Sequence, residues 1–138
     1  MKFLTSYFSN AKNLPQGAVP ISIALYPPKN KLTGVAYFRE YKRLAPPKSL
    51  LLGWKSGAIN RDEDYVDIYT KNIIQKLDVG LVVADLRELS KGADVVMLCY
   101  ETPGDLCHRH LVSEWLRENG VEALEYQQKI QKQLTLRM

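Results

Sequence analysis

One run of the sequence restricts the fold more than any other. Val95-Val96-Met97-Leu98-Cys99 is apolar throughout, bounded by Asp94 on one side and Tyr100-Glu101 on the other. A strand with one wet face alternates apolar and polar residues, whereas an unbroken run has no wet face. Such a strand belongs inside a parallel sheet covered on both sides. The next segment reads as a helix. Thr102 is a good N-cap, Pro103 suits the first helical position and Asp105 stands three residues after the cap. Leu111, Val112, Trp115 and Leu116 form its apolar stripe, and Gly120 stops it.

The rest of the chain fits the same plan. Lys2 to Tyr7 reads as a first strand, and Val19 to Leu25 as a short buried strand ended by Pro27 and Pro28. Pro28 to Asn60 reads as a long irregular crossing with a short helical piece. Asp62 to Leu77 is a helix with acids at its start and Lys76 at its end. Val82 to Lys91 is a second helix stopped by Gly92, and Val121 to Tyr126 a last strand. The polar tail from Gln127 to Met138 reads as helix or frayed chain. Strands alternating with helices predict a single α/β domain over residues 1–138. Its sheet should be mainly parallel and flanked by helices, in a Rossmann-like three-layer arrangement.

A chain of 138 residues is long enough for one core. With 46% hydrophobic and 25% charged residues it is neither a disordered chain nor a collagen. No apolar run is long enough to span a bilayer, and the N-terminus lacks the apolar core of a secretion signal, so a cytoplasmic protein is expected. Two cysteines are too few for a secreted disulfide framework. Charge is uneven. Residues 26–61 hold eight basic residues and one acid, a net +7, which leaves −3 for the remainder of a chain whose total is +4. The stretch also carries Tyr26, Tyr37, Phe38, Tyr41 and Trp54. Arg43 and Lys48 are its candidate anion-binding residues, and an anionic small molecule or a nucleic acid is the expected partner. The competing reading is a solvated loop whose aromatics fill the edge of the core.

Reactive side chains concentrate at one place. Cys99-Tyr100-Glu101 and Cys107-His108-Arg109-His110 contain both cysteines and both histidines of the chain. They lie at the carboxyl end of the buried strand and the start of the next helix, where open α/β sheets bind ligands. The helix end offers backbone N–H groups, and Gly104 allows close backbone approach. Cys107, beside His and Arg, is a candidate nucleophile, with Cys99 as a second thiol. His108 and Glu101 are candidates for proton handling. Helical spacing puts His108 on a face with Leu111, Val112 and Trp115. It turns Arg109 away from the sheet, where it would grip an anion over the helix end. Each residue also has a structural reading. The cysteines pack as small apolar groups, His108 is a hydrogen-bonded core residue, and Glu101 pairs with Arg109. A disulfide between Cys99 and Cys107 fits across the strand–helix turn, though cytosolic chemistry keeps such a bond reduced or transient. No metal or other cofactor is expected. The spacing does not resemble paired Cys-x-x-Cys knuckles, and adjacent helical residues such as Cys107 and His108 diverge by about 100°.

These residues resemble the domain-of-unknown-function 488 (DUF488) family. Its pattern is an apolar strand, Cys-Tyr-Glu, a short loop, Cys-His-Arg and an amphipathic helix. That matches Met97-Leu98-Cys99-Tyr100-Glu101, Cys107-His108-Arg109, then Val112 and Trp115-Leu116. Ile21-Ser22-Ile23-Ala24 before Pro27 and Pro28, and Tyr37 leading to Leu44-Ala45-Pro46, are further matches. Many members carry Gly-His-Ser after the first strand. Here Thr5-Ser6-Tyr7-Phe8-Ser9 stands there, so a second imidazole from that loop is missing. The resemblance implies a compact α/β fold with a site at these residues and carries no activity with it. Two functions fit: an enzyme acting on an anionic, nucleotide-related substrate, or a non-catalytic module that binds nucleic acid or a phosphorylated ligand.

Overall fold

The structure is a computed structural model that describes residues 1–28, 39–101 and 106–126. Five strands form one parallel sheet: β1 (Phe3–Tyr7), β2 (Val19–Ser22), β3 (Arg39–Glu40), β4 (Val95–Cys99) and β5 (Ala123–Glu125), in the order β3-β2-β4-β1-β5. The helices are α1 (Lys48–Ser56), α2 (Asp62–Asn72), α3 (Val79–Ser90) and α4 (His108–Glu118). The parallel sheet flanked by helices is the fold expected from the sequence.

β4 is central, and all five of its residues are buried. Its pleat sends Val95 and Met97 to one side and Val96 and Leu98 to the other. The first side meets α1 through Leu50, α2 through Tyr65 and Tyr69, α3 through Val82 and Leu86, and α4 through Val112, Trp115 and Leu116. The second side is covered by Phe8 and Ala11 of a 3-10 segment (Phe8–Asn13), with Ala24, Leu14 and Ala18. Among the described residues, this second cover contains no α-helix.

Several boundaries differ from expectation. The helix expected over 62–77 ends at Asn72 and gives way to a 3-10 turn (Ile74–Lys76), and α3 starts at Val79 behind its Asp78 cap rather than at Val82. β2 stops at Ser22 rather than Leu25, and β5 is confined to Ala123–Glu125. The crossing from Pro28 to Asn60 holds a two-residue edge strand, β3, and a nine-residue helix, α1, while residues 29–38 lie outside the described residues. The last helix begins at His108, and Cys107 is its N-cap with extended backbone (φ −143°, ψ 141°). Thr102, Pro103, Gly104 and Asp105, expected to open that helix, lie outside the described residues, as does the tail from Gln127. The helix ends at Asn119-Gly120. Gly120 adopts φ 79°, and Val121 N–H returns to the Leu116 carbonyl at 2.9 Å. That reversal sends the chain directly into β5 beside β1. No helix among the described residues is long and apolar enough to cross a membrane.

Candidate functional site

Parallel strands bring every carboxyl end to one edge. Ile23, Glu101 and Tyr126 follow the ends of β2, β4 and β5 there, and α4 begins over the same edge. Tyr7 pairs in register with Cys99, and Met97 with Thr5, so Cys99 lies on the side of the sheet that α4 covers.

The cluster read from the sequence is brought together. Cys99 and Cys107, each 1% exposed, are joined in a disulfide with an S–S distance of 2.02 Å. His108 is buried beside them. Its Nε2 stands 2.7 Å from the Ile23 carbonyl, and its Nδ1 is 3.8 Å from Cys107 Sγ. A carbonyl only accepts, so Nε2 carries the proton and Nδ1 presents its lone pair to the sulfur. Burial pushes the His108 pKa down to about 4, against the raising effect of the Ile23 bond. The positive charge of Arg109 and the neighbouring His110 push in the same direction as burial. His108 is therefore neutral at pH 7. Tyr69 packs its ring 5.6 Å from the imidazole and donates to the Leu44 carbonyl at 2.6 Å.

Arg109 corrects an expectation. It does not turn away from the sheet; it is 0% exposed. Arg109, Val112, Ser113 and Leu116 form a stripe at i, i+3, i+4 and i+7, all buried. The guanidinium donates through Nε and Nη2 to Glu125, at 3.0 Å to each carboxylate oxygen. Its Nη1 donates to the Glu101 carbonyl and, at 3.0 Å, to Cys99 Sγ. It also lies 5.8 Å from the centre of the Tyr7 ring. The carboxylate it grips is thus the protein's own. Burying a cation costs too much free energy without such a partner. Glu125 also accepts from Thr5 Oγ1 at 2.6 Å.

Glu125 was missed by the sequence reading. The signal available was Glu125 in a short apolar strand, at a position where β5 meets the Arg109 helix after a tight Gly120 turn. Glu101 pairs with Arg109 through its backbone carbonyl; burial raises the Tyr65 phenol pKa, and the half-buried Glu101 carboxylate raises it further. His110 is half-buried, and burial with the Arg109 charge lowers its pKa while Glu125 opposes them. Arg43 and Lys48 are exposed and follow the end of β3, so the fold places them at the same edge of the sheet as the cluster, two strands from β4. Gly104 lies outside the described residues.

Among the described residues, Cys99, Cys107 and His108 form a group able to hold a metal. Their ligand atoms all lie within 4.8 Å of one another. Chemically the site offers a dithiol–disulfide pair, a neutral imidazole facing one sulfur, and a buried ion pair bracing both elements.

No curated protein matches the chain, and no solved structure does. A family described as the Active DUF488-N3 subclade matches residues 8–120. That span takes in β2 to β4, α4 and the whole Cys-Tyr-Glu and Cys-His-Arg pattern, and the chain belongs to the DUF488 family.

Proposed function

We propose that this protein is a cytoplasmic thiol enzyme acting on a small anionic, nucleotide-related substrate, with Cys107 as nucleophile and His108 as its base. The observation that carries this reading is the contact between Cys107 Sγ and the unprotonated Nδ1 of His108, a tautomer fixed by the Ile23 carbonyl. Activity requires the reduced dithiol. The resting state is then a thiol facing a neutral imidazole, because burial disfavours the imidazolium. As sulfur bonds to the electrophilic atom of the substrate, its proton passes to Nδ1. The leaving group departs with its electron pair and takes that proton back. Water then attacks the adduct and breaks its bond to sulfur. The water proton passes to Glu101 at the same strand end and from there to the departing Cys107 thiolate, which restores the thiol. Arg43, Lys48 and the first N–H groups of α4 attract the anion. Arg109 braces the site without touching substrate.

The test is alkylation of the reduced, folded chain, read separately at each cysteine by mass spectrometry. Cys107 should react faster with iodoacetate relative to iodoacetamide than free cysteine does, and His108→Gln should slow both. A Cys107 that stays inert until the protein unfolds sinks the reading.

One observation favours the alternative, a binding module for nucleic acid or a phosphorylated ligand. Among the described residues no buried side-chain nitrogen or oxygen lacks a hydrogen-bond partner, as a purely structural network requires. In that case Cys107→Ser leaves ligand affinity unchanged.

A further inference from the structure

We infer that the reduced pocket is a site for a single zinc-class ion, held by Cys99 Sγ, Cys107 Sγ and His108 Nδ1. The inference does not rest on the proposed enzyme activity. It uses the same sulfurs, and an ion on Cys107 silences it as a nucleophile.

Three observations carry it. First, the extended backbone of Cys107 removes the divergence that helical geometry would impose on Cys107 and His108, so both side chains reach Cys99. In tetrahedral zinc sites, sulfur and imidazole nitrogen ligands stand roughly 3.5 Å apart, as bond lengths near 2.3 and 2.0 Å dictate. Nδ1 and Cys107 Sγ are 3.8 Å apart. Second, the surroundings are those of a metal site. Nε2 is tied to a backbone carbonyl, the usual anchor for a ligating histidine, and Arg109 Nη1 donates to Cys99 Sγ. Third, the charges balance. Two thiolates and a divalent ion sum to zero, and the Arg109 cation is already matched by Glu125. A neutral assembly is what a fully buried pocket accepts. With two sulfurs and one nitrogen as donors, the pocket favours zinc over calcium or magnesium, which take oxygen ligands. Three protein ligands leave a fourth position for a water molecule, which keeps the assembly neutral.

The disulfide and the ion exclude one another. A water-soluble phosphine opens the disulfide: phosphorus is oxidised to the phosphine oxide with the oxygen of a water molecule, and the two sulfurs are reduced and take that water's protons. Binding of the ion then releases both thiol protons to solvent.

The experiment reduces the full chain with the phosphine, exchanges it into anaerobic, metal-free buffer and titrates zinc against a chromophoric chelator. One zinc per reduced chain is expected, and none by the oxidised chain. Cys99→Ser, Cys107→Ser and His108→Gln should each weaken binding by about tenfold or more. Cobalt in place of zinc should show thiolate-to-metal charge-transfer absorption. Because a variant can fail to fold, the wild-type chain supplies a second readout: zinc should protect both cysteines from iodoacetamide, and a chelator should restore their reaction. A reduced chain without stoichiometric zinc overturns the inference. So do cysteines that alkylate at unchanged rate with zinc bound, or folded variants of undiminished affinity. The enzyme reading is judged separately, on the metal-free chain, by the iodoacetate reactivity of Cys107.

Discussion

At the scale of single residues, Arg109 sets what the site can and cannot do. It is wholly buried, and its salt bridge to Glu125 has an N–O distance of 3.0 Å. A buried pair contributes little net stability compared with apolar packing, but removing one partner strands the other charge. Glu125→Ala should therefore destabilise the fold by about 3–5 kcal/mol, measured by urea unfolding. Arg109→Met with Glu125→Met should recover most of that loss, because neither charge then remains. A double variant as unstable as Glu125→Ala contradicts this account. His108 makes a pH prediction for the disulfide form. Its folded pKa is about 4, against 6.5 for the free side chain. A depressed histidine pKa means that the unfolded chain binds the proton first. Stability should be complete above pH 6.5, fall as pH drops, and stop falling near pH 4, with a total loss of about 3 kcal/mol. Burial sets this direction, the Ile23 carbonyl opposes it, and the Arg109 and His110 charges add to it. The imidazole proton resonances should titrate with a midpoint near 4, and a midpoint above 6 contradicts the burial argument.

At the scale of elements, α4, the Gly120 reversal and β5 work as one unit. Ser113 Oγ donates to the Ala123 carbonyl at 3.0 Å, and Arg117 donates to the same carbonyl at 2.7 Å. This unit delivers Glu125 to Arg109. A Cβ at Gly120 would meet nothing within 4 Å, so the cost of Gly120→Ala comes from its φ of 79° alone. About 1 kcal/mol is expected by urea unfolding, without change at the site. Asp78 caps α3 by accepting from Leu81 N–H at 3.1 Å, and Asp78→Ala should cost about 1 kcal/mol in the same assay. The elements legible in the sequence are those with a local signal. β4 announced itself by an unbroken apolar run, α4 by its stripe, and α3 by Gly92. β3 had no such signal: Arg39 and Glu40 are charged, and only pairing with Ile21 and Ser22 makes them a strand. The meeting of the cysteines and His108 was legible because they are close in sequence; Glu101 joins them through its backbone carbonyl on Arg109. The Arg109–Glu125 pair was not, because it depends on β5 lying beside β1. An arginine at a helix start looks the same in sequence whether it faces solvent or a buried carboxylate.

At the scale of the whole molecule, charge and topology coincide. The sequence carries a net +7 over residues 26–61, and within it the exposed Arg43 and Lys48 follow the end of β3. In a parallel sheet that end is shared with Cys99, so Arg43 and Lys48 lie toward the same edge as the thiol. This juxtaposition separates the two functional readings. If the substrate is a small anion, a nucleoside monophosphate should protect Cys107 of the reduced chain from iodoacetamide. Arg43→Ala with Lys48→Ala should then raise the half-protecting concentration by roughly threefold, since exposed charges act through a high dielectric and are screened by salt. Both side chains are exposed, so the double variant should unfold as the wild type does. If the protein is instead a binding module, a single-stranded oligonucleotide should bind with an affinity that falls steeply with salt. The same double variant should then reduce the log–log slope by about 1.4, the counterions of two phosphate contacts. Protection by the mononucleotide with no salt-dependent oligonucleotide binding is the outcome expected from the proposed enzyme. Oligonucleotide binding of undiminished affinity in Cys107→Ser, without mononucleotide protection, assigns the cluster to structure alone.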